Sequence, residues 1–335
     1  MNLKLICFFL FISFSSFAQS YSNSQLDSIA KNIPEQYNVT TKSIAEYFKS
    51  ISSDKRELSR MIFSWVAFHI KYDDESFNNS IYKSPDADSV LKERVAVCAG
   101  YSSLFKVICE QAGLEAVSID GFAKGYGFKN GMPVNGINHS WNAVKYDDNW
   151  HLIDVTWGSG FADNVDGKAV SKSKFCDYFF DVKPSQFIFN HYPDSSQFQF
   201  LNKKISREQF KKLIYVDARC LFPLGFNADS ILVKSKLNLR FTLPDVFCSE
   251  NTHFEINQAP YSNSLNSNSK YYFEIKNNSN NRIVLLNNQD LIEFEEQVHD
   301  QNIKSKSIEH LNRGHLYLGI ATDNSVEIIV SYSVL

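Results

Sequence analysis

The sequence predicts an α+β domain followed by an all-β, immunoglobulin-like sandwich, a class that three observations indicate. First, apolar residues recur at helical steps along one segment, namely Tyr101, Leu104, Phe105, Ile108, Cys109 and Ala112. Second, the β-rich segments EAVSIDGFA, NHSWNAVKY and WHLIDVTW follow that helix. Third, short alternating strands separated by polar linkers occur from about Leu237 onward. A helix that feeds an antiparallel sheet is an α+β arrangement, and regularly spaced short strands favour a sandwich.

The 335 residues are enough for two folded domains. We predict a signal peptide over residues 1–18, a first domain over 19–202, a linker over 203–229 and a β-sandwich over 230–335. The net charge is only −3, with acids and bases interspersed. No basic stripe is present, so we expect no nucleic-acid partner.

The first residues have the pattern of a secretory signal peptide. Lys4 precedes an apolar run from Leu5 to Phe14, and Ser16 and Ala18 supply small residues before a cleavage site. The apolar run is too short to span a bilayer comfortably. We therefore expect cleavage after Ala18 and a secreted or periplasmic protein.

The helices before Cys98 have recognisable start signals. The segment TTKSIAEYFKSIS has a helical stripe with Thr40 or Thr41 as its N-cap, and Ser53 is the expected N-cap of the next helix. Gly113 is well placed to follow the last residue of the helix that starts near Cys98.

The cysteines do not form a disulfide scaffold. Six are present, and Cys7 would leave with the signal peptide, so an odd number remains. Cys98 and Cys109 cannot pair if both lie on one helix, because about 16 Å would separate them. One or two bridges remain possible among the other cysteines.

Cys98 stands at a predicted helix start, where unpaired N–H groups and the helix dipole lower the pKa of a thiol. The alternative is a packed small hydrophobe, because free cysteine is often buried. A nucleophilic cysteine also needs a base and a residue that orients the base.

His139 and Asp154 lie on neighbouring strands of a predicted hairpin. If Lys145 faces Asp148, then His139 lies opposite Asp154; if Tyr146 faces Asn149, the two are diagonal neighbours. Either register brings them to about 5–8 Å at Cβ, within reach of each other. We therefore predict a Cys–His–Asp constellation for acyl transfer, although each residue has a structural alternative.

The segments ERVAVCAGYSSLF, NHSWNAVKYDDNWHLIDVTWGSG and YFFDVKPSQFIFNHYPDSSQFQFL resemble the transglutaminase-like superfamily, and in particular its kyphoscoliosis-peptidase branch. The resemblance covers about residues 41 to 201. It implies a papain-like core, in which the helix that carries the nucleophile packs on an antiparallel sheet, so residues 19–202 would be a transglutaminase-like cysteine catalytic domain. It also implies Cys98 as nucleophile, His139 as general base and acid, and Asp154 as orienter. The chain departs from the family at Ala96, where a glycine is usual.

The supporting residues of the site are less well defined by the sequence. The backbone N–H of Cys98 is an expected oxyanion donor. Trp65 is a second candidate donor, with a core tryptophan as the alternative, and Trp141 would support and shield the site. His191 is interpreted as a structural residue that holds a loop near it. No metal-binding spacing is present, so we expect no metal and no cofactor.

The predicted substrate is a protein or peptide, and hydrolysis by a peptidase or deamidase is favoured. One alternative is a cross-linking transglutaminase, because the sequence does not fix whether water or an amine resolves the thioester. Another is a non-catalytic binding protein on a degenerate transglutaminase-like fold, since a fold alone does not prove function. The C-terminal domain could dock a surface or envelope partner.

Overall fold

The computed structural model describes residues 20–335 except 82, 130, 237–242, 248–253, 298–299 and 323–324. The predicted signal peptide over residues 1–18 therefore lies outside the described residues, as does most of the predicted strand LNLRFTL. Among the described residues, no helix combines the length and apolarity that a membrane crossing requires.

The N-terminal part is helical up to the segment that carries Cys98. Its helices are α1 (Asn23–Lys31), α2 (Thr41–Ile51), α3 (Lys55–His69), α4 (Asp74–Asn79), α5 (Ala87–Glu93) and α6 (Cys98–Gln111). A short parallel pair of strands lies between them, formed by β1 (Lys71–Tyr72) and β2 (Val95–Ala96).

Side-chain caps define where these helices begin. Thr40 caps α2 in a reciprocal capping box with Ser43. Asp54, and not the predicted Ser53, caps α3, because its carboxylate accepts the Glu57 N–H at 2.8 Å. Helix α6 ends as predicted, with Gly113 in the left-handed region at φ +85°.

An antiparallel sheet follows α6 and is interrupted by two short helices and a hairpin. The elements are β3 (Glu115–Ala123), β4 (His139–Tyr146), β5 (Asn149–Ile153), α7 (Val155–Ser159), β6 (Gly160–Val165), β7 (Lys168–Ser173), β8 (Phe180–Val182), α8 (Pro184–Phe187) and β9 (His191–Pro193). The strand order in the sheet is β8-β5-β4-β3-β9, and β6 and β7 form a separate two-stranded sheet.

The hairpin between β4 and β5 adopts the second of the two predicted registers. Tyr146 pairs with Asn149, so the strands are joined by a two-residue turn at Asp147 and Asp148. Both turn residues have positive φ, +49° and +60°, as a turn that matches the right-handed strand twist requires.

Helix α6 packs its apolar face on this sheet, as predicted. Leu104, Phe105, Ile108 and Cys109 are fully buried in a core shared with α2, α3 and the sheet. The Ser102 hydroxyl donates to the Trp141 carbonyl oxygen at 2.9 Å, which fixes the N-terminal half of α6 against β4.

The segment predicted as a linker, residues 203–229, contains helices. This segment contains α9 (Arg207–Lys212), α10 (Ala218–Leu221) and the start of α11 (Ala228–Lys236). Phe210, Leu221 and Phe226 are buried in a hydrophobic cluster that also includes residues of the first domain and of the sandwich. The apolar side chains of the segment drive this packing, which an exposed linker would not show. The domain boundaries remain a prediction.

The C-terminal region forms two mainly antiparallel sheets. Its strands are β10 (Asp245–Val246), β11 (Phe254–Gln258), β12 (Ser264–Leu265), β13 (Tyr271–Asn277), β14 (Arg282–Asn287), β15 (Asp290–Glu293), β16 (Glu295–Gln297), β17 (Asp300–Ile308), β18 (Gly314–Ala321) and β19 (Val326–Val334). One sheet has the order β11-β13-β17-β16, and the other follows β10-β19-β18-β14-β15 with β12 also on β19. Phe273 of the first sheet contacts Tyr332 of the second across a shared core, as expected for a sandwich.

Candidate active site

Cys98 is the first residue of α6, in the position that the sequence predicted. Val97 precedes it in extended conformation and supplies no side-chain cap, so the first N–H groups of the helix are not used by a local cap. The thiol is free and half-buried. At position 96, the methyl group of Ala96 faces Gly100, because a Cβ built on Gly100 would lie 2.6 Å from it. The alanine therefore packs under the start of α6.

His139 is the first residue of β4, and Asp154 follows the last residue of β5. Asn138 holds the start of β4 beside β3, since its amide group exchanges hydrogen bonds of 2.7 and 3.0 Å with the Ala123 backbone. The observed register makes Asp154 a diagonal neighbour of His139 across the hairpin. His139 Nε2 lies 2.7 Å from Asp154 Oδ2.

Asp154 is completely buried, and its carboxylate has two hydrogen-bond partners besides His139. It is the N-cap of α7, and its Oδ1 accepts the Trp157 N–H at 2.9 Å. Its Oδ2 also accepts from His191 Nε2 at 2.9 Å. The carboxylate is therefore held by three donors, as a buried charge requires.

The structure brings all three predicted residues together. The His139 imidazole contacts Asp154, and it lies close enough to the Cys98 thiol that His139 lowers the pKa of Cys98 and Cys98 raises the pKa of His139. Because Asp154 engages Nε2, Nδ1 is the ring nitrogen left available to Cys98. The order thiol, imidazole, carboxylate is the one that nucleophilic catalysis by cysteine needs.

The electrostatics of the cluster favour a thiolate–imidazolium pair. Burial disfavours the Cys98 thiolate, but the hydrogen bond and charge of His139 and the Ser140 backbone N–H outweigh it and lower the pKa of Cys98. Burial also disfavours the His139 imidazolium, but Asp154 and Cys98 raise the pKa of His139 to about 10. Asp154 is buried as well, and the two histidines hold its pKa well below the ordinary value.

His191 is a site residue whose place in the cluster the sequence analysis missed. Strand β9 pairs with β3, with His191 opposite Ala123, and this pairing carries the His191 imidazole to Asp154. The available signal was the HYPDSSQFQFL segment, which contributed to the family resemblance. From that segment, His191 was predicted only as a structural residue that holds a loop near the site.

The predicted role of Trp65 as an oxyanion donor needs correction. Its side chain is fully buried, and its indole N–H donates to Asn38 Oδ1 at 3.1 Å. The helical stripe of α3 turns the ring into the core, so Trp65 is the core tryptophan of the alternative interpretation. Trp141 is also buried and packs against the rings of His139 and His191, which agrees with a shielding role.

A cleft of about 780 Å³ opens onto His139. One wall is the β6–β7 hairpin, which is attached to α4 by two hydrogen bonds exchanged between the Asn78 amide and the Ala169 backbone and by hydrogen bonds from Ser171 to Asp74. The lining is rich in aromatic rings, including Tyr72, Phe77, Tyr101, Phe122, Tyr126, Phe128, Trp157, Phe161, Phe179 and Tyr215. A ligand in this cleft would lie beside the imidazole.

His139, Asp154 and His191 also offer ligand atoms that all lie within 4.8 Å of one another. Two imidazoles and a carboxylate suit zinc. A cation there would replace both imidazole–carboxylate hydrogen bonds. The expectation that the protein uses no metal remains a prediction.

The fold and the site define the class of the first domain. Residues 42–155 match the family model described as the transglutaminase-like superfamily. The matched range includes Cys98, His139 and Asp154 and the strands β3, β4 and β5. The resemblance to this superfamily, with a cysteine-protease-like core, is confirmed.

Among named proteins, the chain is similar to kyphoscoliosis peptidase. It is 32% identical to the Mus musculus protein over 173 residues, which are 51% of this chain and 26% of the relative. It is 32% identical to the Homo sapiens protein over 160 residues, 48% of this chain and 24% of that one. The chain thus spans about a quarter of these curated relatives. The crystal structure of a TGase is 24% identical, with 37% of this chain and 34% of that chain covered at a TM-score of 0.28.

Proposed function

We propose that this protein is an exported thiol enzyme that hydrolyses amide bonds in peptide or protein substrates. The observation that carries the proposal is the placement of one buried imidazole between the Cys98 thiol and the Asp154 carboxylate, at the edge of a large cleft. The match to a superfamily with cysteine-protease-like members supports it, and so does the similarity to proteins named as peptidases.

Acylation begins with attack of the Cys98 thiolate on the carbonyl carbon of the scissile amide. The C–O π electrons move to oxygen, and the backbone N–H of Cys98 at the start of α6 donates to that oxyanion. The His139 imidazolium gives its Nδ1 proton to the leaving amine as the C–N bond breaks. A thioester and a neutral imidazole remain.

Deacylation reverses the proton movements. Neutral His139 takes a proton from water, the hydroxide attacks the thioester, and the carboxylic acid leaves as the thiolate re-forms. Asp154 keeps the imidazole oriented throughout and stabilises its positive charge.

We infer that Tyr72 is the second oxyanion donor. Tyr72 lines the cleft. Burial raises its pKa above the ordinary value, and the charge of Cys98 adds to that shift, so the phenol stays protonated at neutral pH. We assign Tyr72 to the donor role for which the buried Trp65 is unavailable.

The cleft favours a substrate segment with large apolar or aromatic side chains. Phe77 and Tyr126, whose rings contact each other edge-on at 6.3 Å, are each about two-fifths exposed. Exposed rings in the cleft that His139 lines are suited to bind apolar side chains of an extended peptide.

The signal pattern of residues 1–18 and the disulfide bond of Cys220 support the proposed export. Disulfides persist in oxidising compartments such as the periplasm and the extracellular space. A surface or envelope partner for the C-terminal sandwich remains a prediction.

Mass spectrometry of a mixed peptide pool tests the function. We expect the purified protein to split peptides, and the Cys98→Ala variant to leave them intact. Conversion of glutamine to glutamate without a split would identify a deamidase, and joined peptides would identify a cross-linking transglutaminase. An unchanged pool, together with a Cys98 that no thiol reagent labels, would contradict an enzymatic function.

The rate of hydrolysis should have a bell-shaped dependence on pH. The thiolate–imidazolium pair exists above the pKa of Cys98, which is lowered, and below the pKa of His139, at about 10. The rate should therefore rise at a pH below the ordinary thiol pKa of about 8.5 and fall near pH 10. Measurements of kcat/KM against pH check this, and a single rise at the ordinary thiol pKa would exclude the ion pair.

A further inference from the structure

Two imidazoles donate to the same carboxylate oxygen in the site. His139 Nε2 and His191 Nε2 lie 2.7 and 2.9 Å from Asp154 Oδ2, and their ring centroids are 5.6 Å apart. The other oxygen, Oδ1, is held by the Trp157 N–H. The thiol–imidazole–carboxylate scheme uses only one of these two histidines.

His191 is enclosed by aromatic rings. Its ring stacks on Phe187 with centroids 3.9 Å apart and an interplanar angle of 15°, and it contacts Trp141 edge-on at 5.2 Å. Trp157 lies 4.4 Å away, between ring centroids, and only 1% of the His191 side chain is exposed. The ring is therefore fixed in orientation and separated from water.

This enclosure determines the charge and the tautomer of His191. Burial lowers the pKa of His191 to about 4, although Asp154 opposes the shift. A neutral imidazole carries one N–H, and an ionised carboxylate can only accept. The proton of His191 therefore lies on Nε2, and the side chain donates to Asp154 without adding a positive charge.

We propose that His191 is a positioning residue of the active site, which donates its Nε2–H to the Asp154 oxygen that also accepts from His139 and so fixes that carboxylate against the imidazole. His139 then holds the single positive charge of the cluster. Because His191 uses part of the accepting capacity of Oδ2, it also limits how strongly Asp154 retains the proton on His139. The catalytic part of this role depends on the proposed function, but the hydrogen-bond arrangement does not.

Two variants separate the hydrogen bond from the packing. His191→Phe keeps a ring that can stack on Phe187 but removes the donor, whereas His191→Gln keeps an N–H donor without the ring. Each is combined with Cys98→Ala, so that Asp154 and His191 are the titratable groups in contact with His139. The imidazole of His139 is then titrated by NMR, a measurement that needs no enzymatic turnover.

We expect the titration midpoint of His139 to rise by about half a unit in the Phe variant, because Asp154 loses a competing donor. In the Gln variant, the titration midpoint of His139 should return toward its value in Cys98→Ala alone. The nitrogen shifts of His191 in Cys98→Ala alone should show a neutral Nε2–H ring throughout the titration of His139. Equal midpoints in all three proteins would overturn the proposal, and so would a cationic or Nδ1–H His191 even if the variants failed to fold.

The same His191 substitutions, made in the protein that retains Cys98, test the effect on the rate of hydrolysis. His191→Phe should lower kcat about tenfold with little change in KM. His191→Gln should have a kcat close to that of the unsubstituted enzyme. Equal changes in kcat and KM without a shifted midpoint would indicate a merely structural residue. A shifted midpoint in a protein that hydrolyses nothing would support the hydrogen-bond role and reject the proposed function.

Discussion

Replacement of Cys98 by serine should lower the rate of peptide hydrolysis by about 10⁴-fold or more. The reason is the pKa of the nucleophile: His139 stabilises a thiolate at position 98, whereas a serine hydroxyl would stay protonated and attack poorly. The variant should fold normally, because Cys98 is only half-buried and the substitution is nearly isosteric. Hydrolysis and labelling by iodoacetamide at neutral pH measure the effect.

Cys176→Ser is the matched control for this prediction. Cys176 is also a free, half-buried cysteine, but burial raises the pKa of its thiol. Its replacement should leave both hydrolysis and rapid labelling intact. If Cys98→Ser retained activity, or if Cys176→Ser removed it, Cys98 would not be the nucleophile.

The position of Cys98 at the start of α6 could be predicted because it depends on residues that are near it in the sequence. The apolar stripe of α6 begins just after it, and Gly113 defines the other end of the helix. The pairing of His139 with Asp154 was predicted only to within two registers. The structure selects the register with Asp147 and Asp148 in the turn, since both adopt the positive φ that a two-residue turn needs.

His191 and Trp65 show where local patterns are insufficient. Strand β9 has only three residues, and it reaches Asp154 by pairing with a strand far away in the sequence. For Trp65, the stripe on α3 was compatible with either a core residue or a donor, and only the contact with Asn38 distinguishes them. The roles of His191 and Trp65 therefore depend on contacts between residues that are far apart in the sequence.

In the C-terminal region, the strands that are rich in apolar residues could be predicted from the sequence. The predicted segments YYFEIKN and VEIIVSYSV coincide with β13 and β19. Strand β17, with the sequence DQNIKSKSI, was missed because lysines and small polar residues fill most of its positions. Its pairing with β13 supplies the stabilisation that its own residues do not indicate.

Asp154→Asn should lower kcat by about 10³-fold and narrow the pH range of activity. The amide that replaces the carboxylate would carry no charge, so His139 would lose the interaction that raises its pKa to about 10. The alkaline limb of the rate profile should therefore move to lower pH. The amide oxygen can still accept the Trp157 N–H that caps α7, so the variant should fold, with a loss of stability of about 1–3 kcal/mol from unsatisfied polar groups.

Asp181→Asn makes the same chemical change in a second Asp–His pair. Asp181 Oδ1 lies 2.7 Å from His151 Nδ1, and both side chains are partly exposed on β5 and β8. Asparagine tolerates the left-handed backbone at this position, where φ is +60°. This control should keep full activity and an unchanged pH profile, because its carboxylate does not contact His139. If the alkaline limb of the pH–rate profile does not move in Asp154→Asn, Asp154 does not determine the charge of His139. The proton movements proposed for acylation would then lack their electrostatic basis.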